Sequence, residues 1–178
     1  QAAHDARACG LAQEEFVARR LHNEYLSLKG NIRVFCRLRP PLPSEAREAD
    51  AKVEIHRGSQ GLTVQSETQK STTGLSERTS SWDFEFDHVF GPEAPQADVF
   101  EEISLLVQSA LDGYRVAIFA YGQTGSGKTH TMEGDMTGGE GEGMIPRSVN
   151  RIFAELQRLR EGGWTFEVNC SMLEIYTE

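Results

Sequence analysis

Gly122-Gln123-Thr124-Gly125-Ser126-Gly127-Lys128-Thr129, directly behind the apolar run Val116-Ala117-Ile118-Phe119-Ala120-Tyr121, is the stretch on which the reading of this 178-residue chain turns. Its spacing is G-x-x-x-x-G-K-[ST]: successive backbone N–H groups form a concave anion nest, the lysine neutralises outer-phosphate charge, and the hydroxyl ligates Mg²⁺. A buried strand over 115–121 entering the turn, and a helix from about Gly127 leaving it, supply the context the motif needs. The chain is therefore expected to bind a nucleotide. A merely flexible glycine turn would leave Lys128 and Thr129 unexplained at the start of a helix.

Upstream of the loop, Val99, Phe100, Ile103, Leu106, Val107, Ala110 and Leu111 recur at i, i+3 and i+4, which predicts an amphipathic helix over Pro95 to Leu111 closed by Asp112-Gly113. Trp82 to Phe90 alternates and predicts one half-buried strand with Trp82, Phe84, Phe86 and His88 on one face. Lys52 to Arg57 and Leu62 to Gln65 flank Gly58-Ser59-Gln60-Gly61 as a hairpin, and Ser/Thr-rich 68–80 reads as a loop. Ile32, Val34, Cys36 and Leu38 alternate along a core strand that Pro40-Pro41 ends, because proline cannot donate to a ladder. Downstream, a glycine-rich acidic insert from Met132 to Gly143 interrupts the helix behind the loop. Helical periodicity resumes near Pro146 and runs to Gly162-Gly163, and a closing strand is expected over about 165–176.

Residues 11–28 place Leu11, Ala18 and Tyr25 seven apart, with Leu21 and Leu28 three residues after the last two. This is an a/d stripe, read as the end of a coiled coil; an amphipathic helix packed on its own domain is the alternative. Gly30-Asn31 stops it.

The net charge of -9 is unevenly spread: residues 1–40 carry seven Lys/Arg against four Asp/Glu, and the remainder eleven against twenty-three. An acidic main body disfavours nonspecific nucleic-acid binding. Cys9, Cys36 and Cys170 lack metal or redox spacing, so small packing residues in a reducing compartment are expected. No stretch approaches a membrane span and no signal peptide is evident, so the expectation is a soluble cytosolic protein without membrane contact. Because the sequence starts at Gln1 without an initiator Met and stops at Glu178 right behind a strand pattern, a piece of a longer chain is expected.

Hydrolysis of a nucleoside triphosphate also needs a second carboxylate for Mg²⁺ and a group that positions water. No apolar strand ending in Asp follows Thr129, so these residues alone make no complete hydrolytic site and no catalytic residue is assigned. His4, His22, His56, His88 and His130 are scattered without metal spacing. His88 reads as an ordinary packing or surface residue. His130 differs: directly behind the loop, an imidazole can reach a bound base.

Gly122 to Thr129 continued by His130-Thr131-Met132, and preceded by Ile118-Phe119-Ala120-Tyr121, resembles the phosphate loop of kinesin motors. Arg37-Leu38-Arg39-Pro40 is similar to the first-strand R-x-R-P motif of that family, Val99-Phe100 to its following helix, and Leu173-Glu174-Ile175-Tyr176 to its L-E-I-Y strand. Thr177 departs from the asparagine usual after that strand. A heptad segment placed before the motor, joined through Leu28 to Arg37, looks like the carboxy-terminal, minus-end-directed kinesins. The resemblance covers about residues 21–178 and implies an α/β, P-loop NTPase-like mixed central sheet flanked by helices: a neck helix and coiled-coil end over 1–30, then the amino-terminal portion of a motor domain over 31–178. It further implies ATP and Mg²⁺ as ligands, with Thr129 on the metal and Arg37, Arg39, Pro40 and His130 around adenine. It implies microtubules (tubulin) as partner, mainly through sequence beyond Glu178, a homodimer through the neck, and a cytoplasmic, cytoskeletal location. The two switch motifs of the family also lie beyond Glu178, so this portion by itself is not expected to hydrolyse ATP. Two other readings stand beside it: a non-motile coiled-coil module with vestigial nucleotide binding, and an unrelated phosphate-loop kinase.

Overall fold

The computed structural model describes residues 17–42 apart from 22, 26, 27 and 29, then 52–66, 69–70, 77–135 and 137–175. Leu11 of the heptad series, Cys9 and Tyr176 fall outside the described residues.

Seven short strands precede the phosphate loop: β1 (Phe35–Arg37), β2 (Lys52–Ile55), β3 (Gly61–Gln65), β4 (Gln69–Lys70), β5 (Glu77–Arg78), β6 (Ser81–Glu85) and β7 (His88–Phe90). Three helices follow, α1 (Gln96–Leu111), α2 (Lys128–Met132) and α3 (Met144–Glu161), with a 3₁₀ turn at Gly139–Gly141 before the last. Parallel pairing joins β1 to β7, with Cys36 opposite Val89. An antiparallel meander runs β2-β3-β6, with Val64 between Val53 and Trp82. The expected hairpin is present, its turn passing through Ser59 at positive φ.

Three expectations are corrected. The strand expected over Trp82 to Phe90 is two strands in different sheets, because the Phe86 N–H donates to Gln60 O and Asp87 binds Val34 through both its amide and its carboxylate. Burial follows the second of them: Val89 and Phe90 are buried while Trp82 and Phe84 stay exposed. Within 68–80, β4 pairs with β5, so that stretch is not all loop. Finally, 115–121 and 165–175 belong to no strand, since neither has a ladder partner among the described residues and a strand exists only through inter-strand hydrogen bonds. The first of these is strand-like in its alternation: Val116, Ile118 and Ala120 are half-buried while Ala117, Phe119 and Tyr121 face outward, Phe119 at 87% exposure.

The core gathers where α1 crosses the parallel pair. Phe90, Val99, Ile103 and Met144 form its buried centre, with Phe35, Ile118 and Met132 packed against it. Each buried aliphatic side chain contributes about 1.5–3 kcal/mol relative to exposure. The α1 stripe is therefore what holds both ends of the phosphate-loop segment near β1. Asp112 caps α1 through its backbone N–H, and Gly113 leaves at φ 98°.

Residues 17–21 and 23–25 are helical, as the heptad pattern predicts. One face of this segment lies on α1: Ser109 Oγ donates to Asn23 Oδ1 at 3.2 Å, and the Arg19 guanidinium lies 3.5 Å from the carboxylate of Asp112, itself buried. Leu21, Tyr25 and Leu28 of the heptad stripe face outward, Leu28 at 89% exposure. Among the described residues, no helix is long and apolar enough to cross a membrane.

Candidate phosphate-binding site

Ile118, packed on the core, delivers the chain to Gly122, where the backbone turns. The turn closes with the Ser126 N–H donating to Gln123 O at 3.2 Å, and α2 starts as the Thr131 N–H reaches Gly127 O at 2.9 Å. Glycine is needed at several positions of the turn. A Cβ on Gly122 would collide with Ser126 Oγ, and Gly127 sits at φ 94°, a left-handed conformation that L side chains adopt at a cost of about 1–2 kcal/mol. Lys128 folds back over the turn, its ammonium donating to Gly122 O at 2.8 Å and Gln123 O at 2.9 Å. A cation thus stands over a ring of glycine backbone. That donor set fits a polyphosphate, and the exposed hydroxyl-bearing Thr129 beside it fits a Mg²⁺ ligand. Among the described residues, no three His, Cys, Asp or Glu side chains cluster to hold a metal.

Of the residues expected around a base, Arg39 approaches the loop, and Arg37 bonds Gln96, which in turn contacts His130. Arg39 lies along the loop, its Cδ 3.8 Å from where a Gly127 Cβ would stand, and its guanidinium donates to the exposed Pro40 carbonyl at 3.2 Å. Arg37, at the end of β1, faces inward. Its Nη1 donates to Gln96 Oε1 at 2.9 Å and to Thr131 Oγ1 at 3.0 Å, and its Nη2 to Ala94 O at 3.3 Å. Burial lowers its pKa from the ordinary arginine value. Arg37 is thus a brace between the start of α1 and α2, while His130 is exposed.

Sequence reasoning missed Gln96, which is 6% exposed and binds His130 and Arg37 at once. A signal was present: positions 96, 99, 103 and 107 share one stripe, and a glutamine on an otherwise apolar stripe must find partners. The acidic insert also closes onto the site. Gly134 and Glu142 form an antiparallel bridge, and Arg147 of α3 donates to Glu142 O at 2.7 Å and Glu140 O at 2.8 Å.

The sequence profile of the family described as "Microtubule binding" matches residues 11–178. The chain belongs to the kinesin motor family. It is 50% identical over 166 residues to Kinesin-related protein 2 of Dictyostelium discoideum, covering 93% of this chain and 21% of that protein. To Carboxy-terminal kinesin 2 of Xenopus laevis it is 50% identical over 163 residues, covering 90% of this chain and 25% of the relative. Among solved structures, the C-terminal motor and motor homology domain of Kar3Vik1, fused to a synthetic heterodimeric coiled coil, aligns with a TM-score of 0.65 at 40% identity. That alignment covers 87% of this chain and 39% of the solved one. The chain therefore spans about a fifth to a quarter of these kinesin relatives. Its fold is the kinesin α/β fold, and carboxy-terminal kinesins are among its near relatives.

Proposed function

We propose that this chain is the ATP-binding portion of a microtubule motor, in which ATP hydrolysis by the whole protein is coupled to movement toward microtubule minus ends. The observation that carries the reading is the ammonium of Lys128 seated over the glycine turn, 2.8 Å from Gly122 O, in a helix that continues directly into His130. Mg-ATP, when bound, supplies the transferable γ-phosphoryl group. Lys128 neutralises phosphate charge, the loop amides donate to phosphate oxygens, and Thr129 ligates the metal. Arg39, Pro40 and His130 border the base, and Arg37 holds β1, α1 and α2 in register around it. Hydrolysis additionally draws on two switch segments that the resemblance places after Glu178, so residues 1–178 by themselves bind nucleotide without turning it over. Microtubule engagement likewise rests mainly on those later segments, and the working location is the cytoplasmic microtubule cytoskeleton.

The neck over residues 1–30 pairs two such chains. Leu21, Tyr25 and Leu28 are exposed, which supports a seam with a second copy. Direction follows from the neck-first order and from the likeness to carboxy-terminal kinesins. Polarity-marked microtubule gliding by the full-length protein, with calorimetric titration of ATP and ADP, tests the reading. Minus-end-leading transport together with nucleotide affinity is expected. Absence of affinity for either nucleotide in the intact protein defeats the motor reading, and plus-end-leading transport defeats its direction.

A further inference from the structure

We infer that Gln96 is the positioning residue for the base end of this site: its side-chain amide fixes both the orientation and the tautomer of the His130 imidazole. The inference rests on the ATP-binding reading, and it concerns a residue from a different helix whose role lies in specifying the platform rather than in touching phosphate.

The orientation of the Gln96 amide is determined from both ends. At one end Arg37 Nη1 lies 2.9 Å from Oε1, and a guanidinium is a donor only, so that atom is the oxygen. At the other end Nε2 lies 2.7 Å from His130 O and 3.4 Å from Gly141 O, both acceptors, so that atom is the nitrogen. The same Nε2 lies 3.2 Å from His130 Nε2. An amide nitrogen cannot accept and carries two hydrogens; its two shorter contacts, 2.7 Å to His130 O and 3.2 Å to His130 Nε2, take them, which assigns the ring proton to Nδ1. One buried amide thus grips the backbone and the ring of the same histidine while Arg37 grips the amide. The His130 ring, otherwise exposed on a one-turn helix, is held in a single pose and offers its face to a purine. Stacking on a held ring tolerates any purine.

Gln96→Glu separates the two grips. The carboxylate still accepts from Arg37, but it cannot donate to the carbonyls of His130 and Gly141, so the backbone grip is lost and the ring can be held only through a protonated Nε2, in the opposite tautomer. In the full-length protein at pH 8, KM for ATP is expected to rise about 3- to 10-fold, the cost of one hydrogen-bonded constraint. KM for GTP should rise by a similar factor, and microtubule-saturated kcat should stay within about twofold. Gln96→Met, isosteric but without either grip, should raise KM as much and lower the melting temperature as well. Magic-angle-spinning ¹⁵N spectra of histidine-labelled protein, assigned by difference against His130→Asn, should show the proton on Nδ1 in the parent and moved to Nε2 in Gln96→Glu. An unchanged KM in both variants, a fall in kcat at constant KM, or a parent imidazole protonated at Nε2 overturns the inference. Should the parent bind no nucleotide, the proposed function fails, and the imidazole spectrum still decides whether Gln96 holds the ring.

Discussion

The guanidinium of Arg37 donates a 3.0 Å hydrogen bond to Thr131 Oγ1, joining residues 94 apart in sequence. With the 2.9 Å bond to Gln96, this contact makes the end of β1 the fixed point against which both α1 and α2 are placed. Removing Arg37 leaves a buried amide oxygen and a carbonyl without their donor. Arg37→Ala is therefore expected to destabilise the fold by about 1.5–3 kcal/mol, the range for hydrogen bonds to charged groups. Arg37→Lys recovers only part of this, because an ammonium lacks the planar fork that reaches three acceptors. Urea midpoints of the two variants check both statements, and equal midpoints for Arg37→Ala and the parent would remove the brace from the account.

Lys128 bonds only to backbone oxygens at the mouth of the turn, so its loss should leave the fold intact and strip the site of its phosphate cation. Lys128→Ala is expected to weaken ATP affinity of the full-length protein by at least about 10- to 100-fold, the equivalent of one charge-assisted contact. Calorimetry reads this directly. Full-strength binding would contradict the site.

The glycines of the loop should not be equally sensitive. An alanine at Gly125 meets nothing within 4 Å and carries only the strain of its φ of 81°, whereas at Gly122 it meets the Ser126 side chain. Gly122→Ala is expected to depress thermal stability more than Gly125→Ala. Ser126→Gly should relieve part of that cost in the double mutant, since the two sites share the contact. Additive effects would mean that the Ser126 contact is not what requires glycine.

The helical segment before β1 has two faces with two tests. Asn23→Ala removes the bond to Ser109 and should cost about 1 kcal/mol of attachment to α1. Leu21→Glu with Leu28→Glu retains the Asn23–Ser109 bond and places charges on the exposed stripe, so analytical ultracentrifugation should show a dimer becoming a monomer. A dimer that survives both charges would exclude this stripe as the seam.

Burial raises the thiol pKa of Cys36 above its ordinary value of 9.0, while Cys170 is exposed. The thiolate is the reactive form, so iodoacetamide at pH 8 should label Cys170 well before Cys36. The folded state holds the Cys36 proton more tightly than the unfolded one. Its contribution to stability is thus fully present below pH 9.0 and is lost as pH rises through the elevated value. A Cys36→Ala variant should show a shallower alkaline loss than the parent.

Local chemistry was legible from residue order because its signals are local. Gly122, Gly127 and Lys128 announce the loop through spacing alone, the α1 stripe announces its buried face, and Gly58 to Gly61 announces the β2–β3 hairpin. Strand membership was less legible. Val116 to Tyr121 and Thr165 to Ile175 have the composition of strands, but pairing is a property of a neighbour and not of a segment. Trp82 to Phe90 reads as one alternating run. Only the bonds from Asp87 to Val34, and from Phe86 to Gln60, divide it between two sheets.

By itself the amino-acid order determined that this chain carries a phosphate loop, that an amphipathic helix lies before it, and that its motifs are those of a kinesin motor. Each of these depends on contacts within a few residues, where spacing dictates geometry. Tertiary structure alone decided that Arg37 serves as a brace, that Gln96 reaches His130, and that Leu21 and Leu28 stay exposed. Those outcomes are set by which distant groups folding brings within hydrogen-bond range, and a buried amide takes its partners from the fold around it.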